Sequence, residues 1–177
     1  METLYITSPA CHRHEMGSWH PECPERLDAV NDQLLSSGVL PLLDSFPSPR
    51  PATEAEVLRV HAESHLAHLK ALSPASGYAA IDGDTLMNPH TLAAAFEAAG
   101  AGIAAVDSIM RGEANSAFCN VRPPGHHAES ARAMGFCFFN NVAVGIRHAL
   151  DVHGLSRVAL IDFDVHHGNG TEDMFAD

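Results

Sequence analysis

The segment 157–170, RVALIDFDVHHGNG, constrains this chain more than any other. Residues 158–161 form an unbroken apolar run, which fits a strand buried on both faces of a parallel sheet. Directly behind it stand Asp162, Asp164 and His166. In extended backbone alternate side chains share a face, so these three point one way and Phe163, Val165 and His167 the other. Two carboxylates within about 7 Å of each other at the tip of an apolar strand repel and resist burial. A bound cation reverses that cost and turns the cluster into a set of ligands. An Asp-x-His pair offers the oxygen and nitrogen donors that a divalent transition metal takes, zinc most often. The competing reading is a solvated strand end with a chance histidine.

Around this segment, stretches of helical periodicity alternate with short apolar runs, the pattern of an α/β domain, and 177 residues suffice for one such domain with a buried core. Residues 4–7 read as a first strand closed by Ser8-Pro9, and residues 11–23 as loop. Pro24 opens a helix with Leu27, Val30 and Leu34 on one face and Gly38 at its stop. Residues 41–51 are a proline-rich connection within the domain. Thr53-x-x-Glu56 is a capping box, residues 61–72 continue helical, and residues 76–85 form a loop bearing Asp82 and Asp84. Asn88-Pro89 caps a core helix marked by Leu92, Phe96, Ala99, Ile103, Val106 and Met110, ending near Gly112. Residues 117–121 are a strand. Phe138 and Phe139 belong to the core, Asn140-Asn141 leads into a helix, and residues 172–177 begin another.

The net charge of −12 argues against a nucleic-acid partner and favours the approach of cationic substrates. Four cysteines without a Cys-x-x-Cys spacing fit a reduced, cytoplasmic protein. No basic stretch followed by an apolar core opens the chain, and no run nears eighteen apolar residues, so neither a signal peptide nor a membrane span is expected.

A second polar cluster, Arg122-Pro123-Pro124-Gly125-His126-His127, follows the strand at 117–121. Proline and glycine stop the strand, and on an irregular turn both histidines can enter one pocket. Sites in open α/β sheets form outside the carboxyl ends of strands, and here two such ends carry the densest polar groups. A catalytic zinc takes about three protein ligands and keeps an open position for water. A neighbouring histidine then serves as proton acceptor. Together these residues suggest metal-assisted hydrolysis.

His20-Pro21-Glu22, Pro24-Glu25-Arg26-Leu27, the Arg122–His127 cluster, Gly135-Phe136-Cys137 and the run from Asp162 to Gly170 occur in the order used by the zinc-dependent histone deacetylase superfamily, which this chain resembles from about residue 17 to its last residue. That superfamily includes bacterial histone-deacetylase-like amidohydrolases and acetylpolyamine amidohydrolases. The resemblance implies an arginase/deacetylase-like fold, a mostly parallel sheet flanked by helices, of which residues 1–177 are the N-terminal portion of a single domain. It implies hydrolysis of an N-acetyl amide on acetylated lysine or an acetylated polyamine, with Zn2+ as cofactor.

By position, Asp164 and His166 match the first two zinc ligands. His127 matches the general base, His126 its electrostatic partner, and Asp162 the carboxylate that orients His126. Asn169 stands where many members carry an aspartate that orients His127. A neutral amide still fixes the imidazole tautomer but stabilises the imidazolium less. Asp162 and Phe175 match positions around structural K+ ions. Gly135 and Phe136 resemble one wall of the acyl-chain channel, and Arg26 the arginine of the cavity behind the zinc. The family's third zinc ligand and transition-state tyrosine lie beyond the last residue here. No acid in this chain is a convincing substitute ligand, Asp82 and Asp84 being the conceivable ones. The segment alone is therefore expected to bind zinc weakly and to lack an oxyanion donor, with an uncovered sheet edge. A non-catalytic binding protein of the same fold is the alternative class, and retention of both histidines and both ligands weighs against it. No membrane partner is expected, and a homo-oligomer is compatible with the sequence.

Overall fold

The computed structural model describes residues 3–46 and 48–176. β1 (Thr3–Thr7) buries Tyr5 and Ile6. Ser8 ends it by capping a helix, not by starting a loop: its Oγ accepts from the Ala10 amide at 3.1 Å, and Pro9 opens α1 (Pro9–Arg13). α2 (Glu25–Ser36) follows Pro24 and buries Leu27, with Val30 and Leu34 half-buried. The proline-rich connection contains a strand that its sequence does not betray, β2 (Asp44–Ser45), since two exposed residues carry no alternation to read. Thr53 and Glu56 close the expected capping box at the start of α3 (Glu54–Val57), and α4 (Glu63–Leu72) comes next. β3 (Ala79–Ala80), inside the expected loop, pairs antiparallel with β4 (Leu86–Met87) just after it. Asn88 is not the cap: its Oδ1 accepts from the His90 amide and the Thr91 hydroxyl in the turn before the helix, and α5 (Thr91–Met110) starts two residues after Pro89 with His90 at its N-cap and no side-chain cap bond. β5 (Ser116–Asn120), α6 (Asn141–Asp151) and α7 (Asn169–Phe175) complete the order. Residue 177 of the last expected helix lies outside the described residues.

The main sheet is parallel, in the order β2-β1-β5, with Thr3 opposite Ser116 and Thr7 opposite Asn120. Helices flank it. α5 packs on β1, β5 and α6, and the core beneath it gathers Val57, Leu66, Leu69, Met87, Ala95, Ala99, Ile103, Phe138, Phe139 and Val144. α5 is also, by length and composition, apolar enough to cross a membrane, with a mean hydropathy of 1.4, because its alanines raise the average although Glu97 and Asp107 interrupt the apolar run. Half of that window is buried against the rest of the chain, as in a core helix. Buried Asn140 ties two elements together: its Oδ1 accepts from the Ala143 amide at the start of α6, and its Nδ2 donates to Thr171 Oγ1 in α7 at 3.0 Å.

The strand expected at 158–161 is not formed as one. Those residues are irregular and make no ladder with β5 among the described residues. They are not buried: Val158 and Leu160 are 41 % exposed and Ile161 84 %, and Phe163 and Val165 just beyond are more exposed still. An apolar run marks surface that favours burial, but a buried strand also needs a partner over each face, and the described residues cover these side chains only in part.

Candidate active site

The turn after β5 hangs from one fully buried cation. Arg122 donates through Nη2 to Glu22 Oε2 at 2.7 Å, through Nε to Glu22 Oε1, and through Nη1 to the carbonyls of Cys11 and His14 at 2.7 and 2.9 Å. A buried guanidinium requires this degree of satisfaction, and the fork geometry fixes its plane. The His20-Pro21-Glu22 loop, α1 and the root of the histidine turn are thereby held to one another. Burial pushes the Glu22 carboxyl up, but His14 and Arg122 more than offset it and hold it down at about 2. Of these two the guanidinium is the closer, since His14 Nε2 stands 3.5 Å away.

His126 and His127 lie with ring centroids 4.0 Å apart, and each is oriented through Nδ1. His126 donates from Nδ1 to Asp162 Oδ2 at 2.9 Å, and His127 donates from Nδ1 to Asn169 Oδ1 at 2.7 Å. The Asn169 amide is itself fixed, because its Nδ2 donates to Glu129 Oε1 at 3.0 Å. With the carbonyl end facing His127, the imidazole carries its proton on Nδ1 and keeps a free lone pair on Nε2. Asp162 also accepts from the Asp164 amide at 3.1 Å; burial raises its carboxyl, and these hydrogen bonds bring it below its ordinary value.

Asp164 and His166 form an exposed pair in which Asp164 Oδ1 accepts from the His166 amide at 2.8 Å and from ring Nδ1 at 3.0 Å. These two bonds hold the Asp164 carboxyl below its usual value. The His166 ring lies 5.9 Å from that of His127. His126, His127, Asp164 and His166 line one cavity of about 360 Å³ with Pro21, Glu22, Arg26, Asp84, Gly135 and Phe136. Oxygen and nitrogen donors side by side, accessible and next to two oriented imidazoles, suit a zinc ion at its first two ligand positions. No third donor of this type joins them among the described residues. Asp84 reaches the cavity wall, whereas Asp82 turns into its own loop and accepts from the Asp84 and Thr85 amides. Arg26 lies 3.3 Å from Glu22 Oε1. Asp162 and Phe175, the candidate K+ positions, meet at a separate cavity of about 450 Å³ with Leu160 and Thr171.

Three features escaped the sequence reading. Glu129, which locks the Asn169 amide, sits in no recognisable motif. Arg122 and Glu22 pair across a hundred residues. The glycines serve close approach: a Cβ on Gly170 would lie 2.2 Å from the Ala128 carbonyl oxygen, so α7 docks against the histidine turn only because that atom is absent. Gly135 has φ +56°, and its Cβ would meet the His127 ring at 2.6 Å. Gly135→Ala is therefore expected to cost about 1–2 kcal/mol in backbone strain and to displace the His127 ring. Denaturant titration and histidine ring ¹⁵N resonances check it, and an unmoved ring with an unmoved midpoint would contradict the assignment.

The family model for the histone deacetylase domain matches residues 20–177. The chain is 43 % identical over 156 residues to the histone deacetylase-like amidohydrolase of Pseudomonas aeruginosa, covering 88 % of this chain and 40 % of that protein. It is 37 % identical over 168 residues to a probable deacetylase of Archaeoglobus fulgidus, covering 92 % and 45 %. Its fold superposes on the crystal structure of the HDA15 HD domain with a TM-score of 0.89 at 34 % identity, over 99 % of this chain and 51 % of that one. The chain thus spans about half the length of these matches.

Proposed function

The chain belongs to the histone deacetylase domain family, and from that premise we propose that it forms the N-terminal portion of one zinc-dependent amidohydrolase domain that removes acetyl groups from amines. The observation that carries this reading is a single cavity holding two histidines, each tied at Nδ1, beside an Asp-His donor pair. Asp164 and His166 would hold the zinc ion, which when bound polarises an acyl carbonyl and acidifies water. His127, with its proton parked on Nδ1 by Asn169, takes a second proton at Nε2 and later delivers it to the departing amine. His126, anchored to Asp162 through Nδ1, lines the same cavity, where a proton on its Nε2 would favour developing negative charge. Gly135 and Phe136 flank the acyl chain, and Phe136 is held by its amide donating to Thr85 Oγ1 at 3.1 Å and by the His20 ring at 4.6 Å. Arg26 and Glu22 face the same space. Asp162 and Phe175, which line one cavity, would hold a K+ ion behind the zinc ligands.

The substrate is an acetylated lysine side chain or an acetylated polyamine, and the net charge of −12 favours the approach of the cationic polyamine. Four free cysteines suit the reducing cytoplasm. The test is acetate release by the intact protein from an acetyl-lysine peptide and from an acetylated diamine, before and after chelation. We expect hydrolysis of at least one substrate, lost on chelation and restored by zinc. Silence on both with zinc supplied would overturn the reading.

A further inference from the structure

Away from that cavity, the ends of α5 and α6 bring together a second set of metal-binding side chains. Asp107 lies in the last turn of α5, His148 in the last turn of α6, and His153 in the turn that follows. His148 Nε2 and His153 Nε2 stand 2.6 and 2.7 Å from the same atom, Asp107 Oδ1. One donor atom from each residue lies within 4.8 Å of the others. The two rings meet edge-on, at 72° between planes and 5.4 Å between centroids, so their nitrogens converge while the rings do not stack.

We propose that Asp107, His148 and His153 form a divalent transition-metal site, distinct from the His126–His166 cavity, that clasps the C-terminal ends of α5 and α6. Two imidazoles and one carboxylate are the donor set that zinc and other first-row divalent ions take, with one position left for water. Both helices end here, and each contributes the partial negative charge of its last carbonyls, which favours a cation. The site is prearranged, because α5 and α6 pack closely at Gly102 and Gly145, where a Cβ on Gly145 would touch the Gly102 carbonyl carbon at 3.7 Å. The side chain of His148 is buried, while those of His153 and Asp107 keep 20 % and 27 % exposure, leaving an approach for the ion and its water.

Two cations oppose binding. Arg59 Nη1 lies 3.3 Å from His148 Nδ1, and Arg111 Nη1 lies 3.9 Å from Asp107 Oδ2. Without metal, Arg59 donates to Nδ1 and Nε2–H donates to Asp107. With metal, Nε2 must give up that hydrogen, Nδ1 must carry one, and Arg59 must swing away. Arg59 therefore weakens the site, and removing it strengthens metal binding. A mere hydrogen-bonded triad would show no such gain.

The experiment uses the intact protein carrying Asp164→Ala and His166→Ala, which removes the donors of the other cavity. Zinc titration with metal analysis, Co2+ absorption and thermal melting are the readouts. We expect about one tightly held metal per chain and a rise in Tm on adding metal. His153→Gln and Asp107→Asn should each abolish both, and Arg59→Ala should tighten binding several-fold. Circular dichroism checks that each variant is folded. For folded variants, metal content and melting shift unchanged by His153→Gln and Asp107→Asn would overturn the site, as would absence of binding in the parent.

Discussion

Exchange of His127 for alanine in the intact protein is expected to lower amide hydrolysis by roughly 10²–10⁴-fold, the range that a positioned general base contributes. The zinc content should stay at the wild-type level, since His127 gives its Nδ1 hydrogen to Asn169 and is not among the donors Asp164 and His166. Fold stability should hardly move, because the ring faces a cavity and not the core. That combination, chemistry lost with metal and fold retained, separates a proton carrier from a ligand or a packing residue. Turnover near the wild-type rate would refute the assigned role. Turnover lost together with the metal would make His127 a ligand and not a base.

Loss of Glu22 should be the most damaging single change to stability. Glu22→Ala leaves the Arg122 guanidinium buried without a counter-ion, and breaking a buried pair from one side costs about 3–5 kcal/mol. Glu22→Gln keeps the shape and should retain part of the hydrogen bonding, so it allows measurement if the alanine variant does not fold. The same pair predicts an acid limb in the stability curve. Glu22 is held at about 2 in the fold against an ordinary value of 4.5. Its folded pKa lies below the unfolded one, so its contribution is complete above pH 4.5 and is lost as the pH falls from there towards 2. The size of that contribution is about 3 kcal/mol. Denaturant titrations across this window, compared between wild type and Glu22→Gln, should show a steep slope in the first and a shallow one in the second. Parallel slopes would show that Arg122 is not compensated by Glu22.

What could be read from the sequence was whatever residue type and spacing express on their own. The Thr53–Glu56 box is such a case, because both partners lie within one helical turn and each has a defined acceptor. The convergence of His126 and His127 on the Asp164–His166 pair was equally legible, since few arrangements make chemical sense of so many donors at two chain turns. Partnerships across long separations were not. Nothing near Arg122 announces Glu22, and nothing near Asn169 announces Glu129, because tertiary packing and not local pattern brings them together. The Asp107–His148–His153 set stayed hidden for the same reason. The segment at 158–161 failed in the opposite direction: its composition asks for burial, yet burial belongs to the neighbours as much as to the segment. β2 is too short to carry any pattern at all.

The pairing of β1 with β5 has a kinetic consequence. β1, the earliest of the three described strands, lies between the other two, and its main ladder joins residue 3 to residue 116. During synthesis β1 must therefore wait, unpaired along that side, until more than a hundred further residues have left the ribosome. Such high contact order slows folding and prolongs exposure of a bare ladder edge.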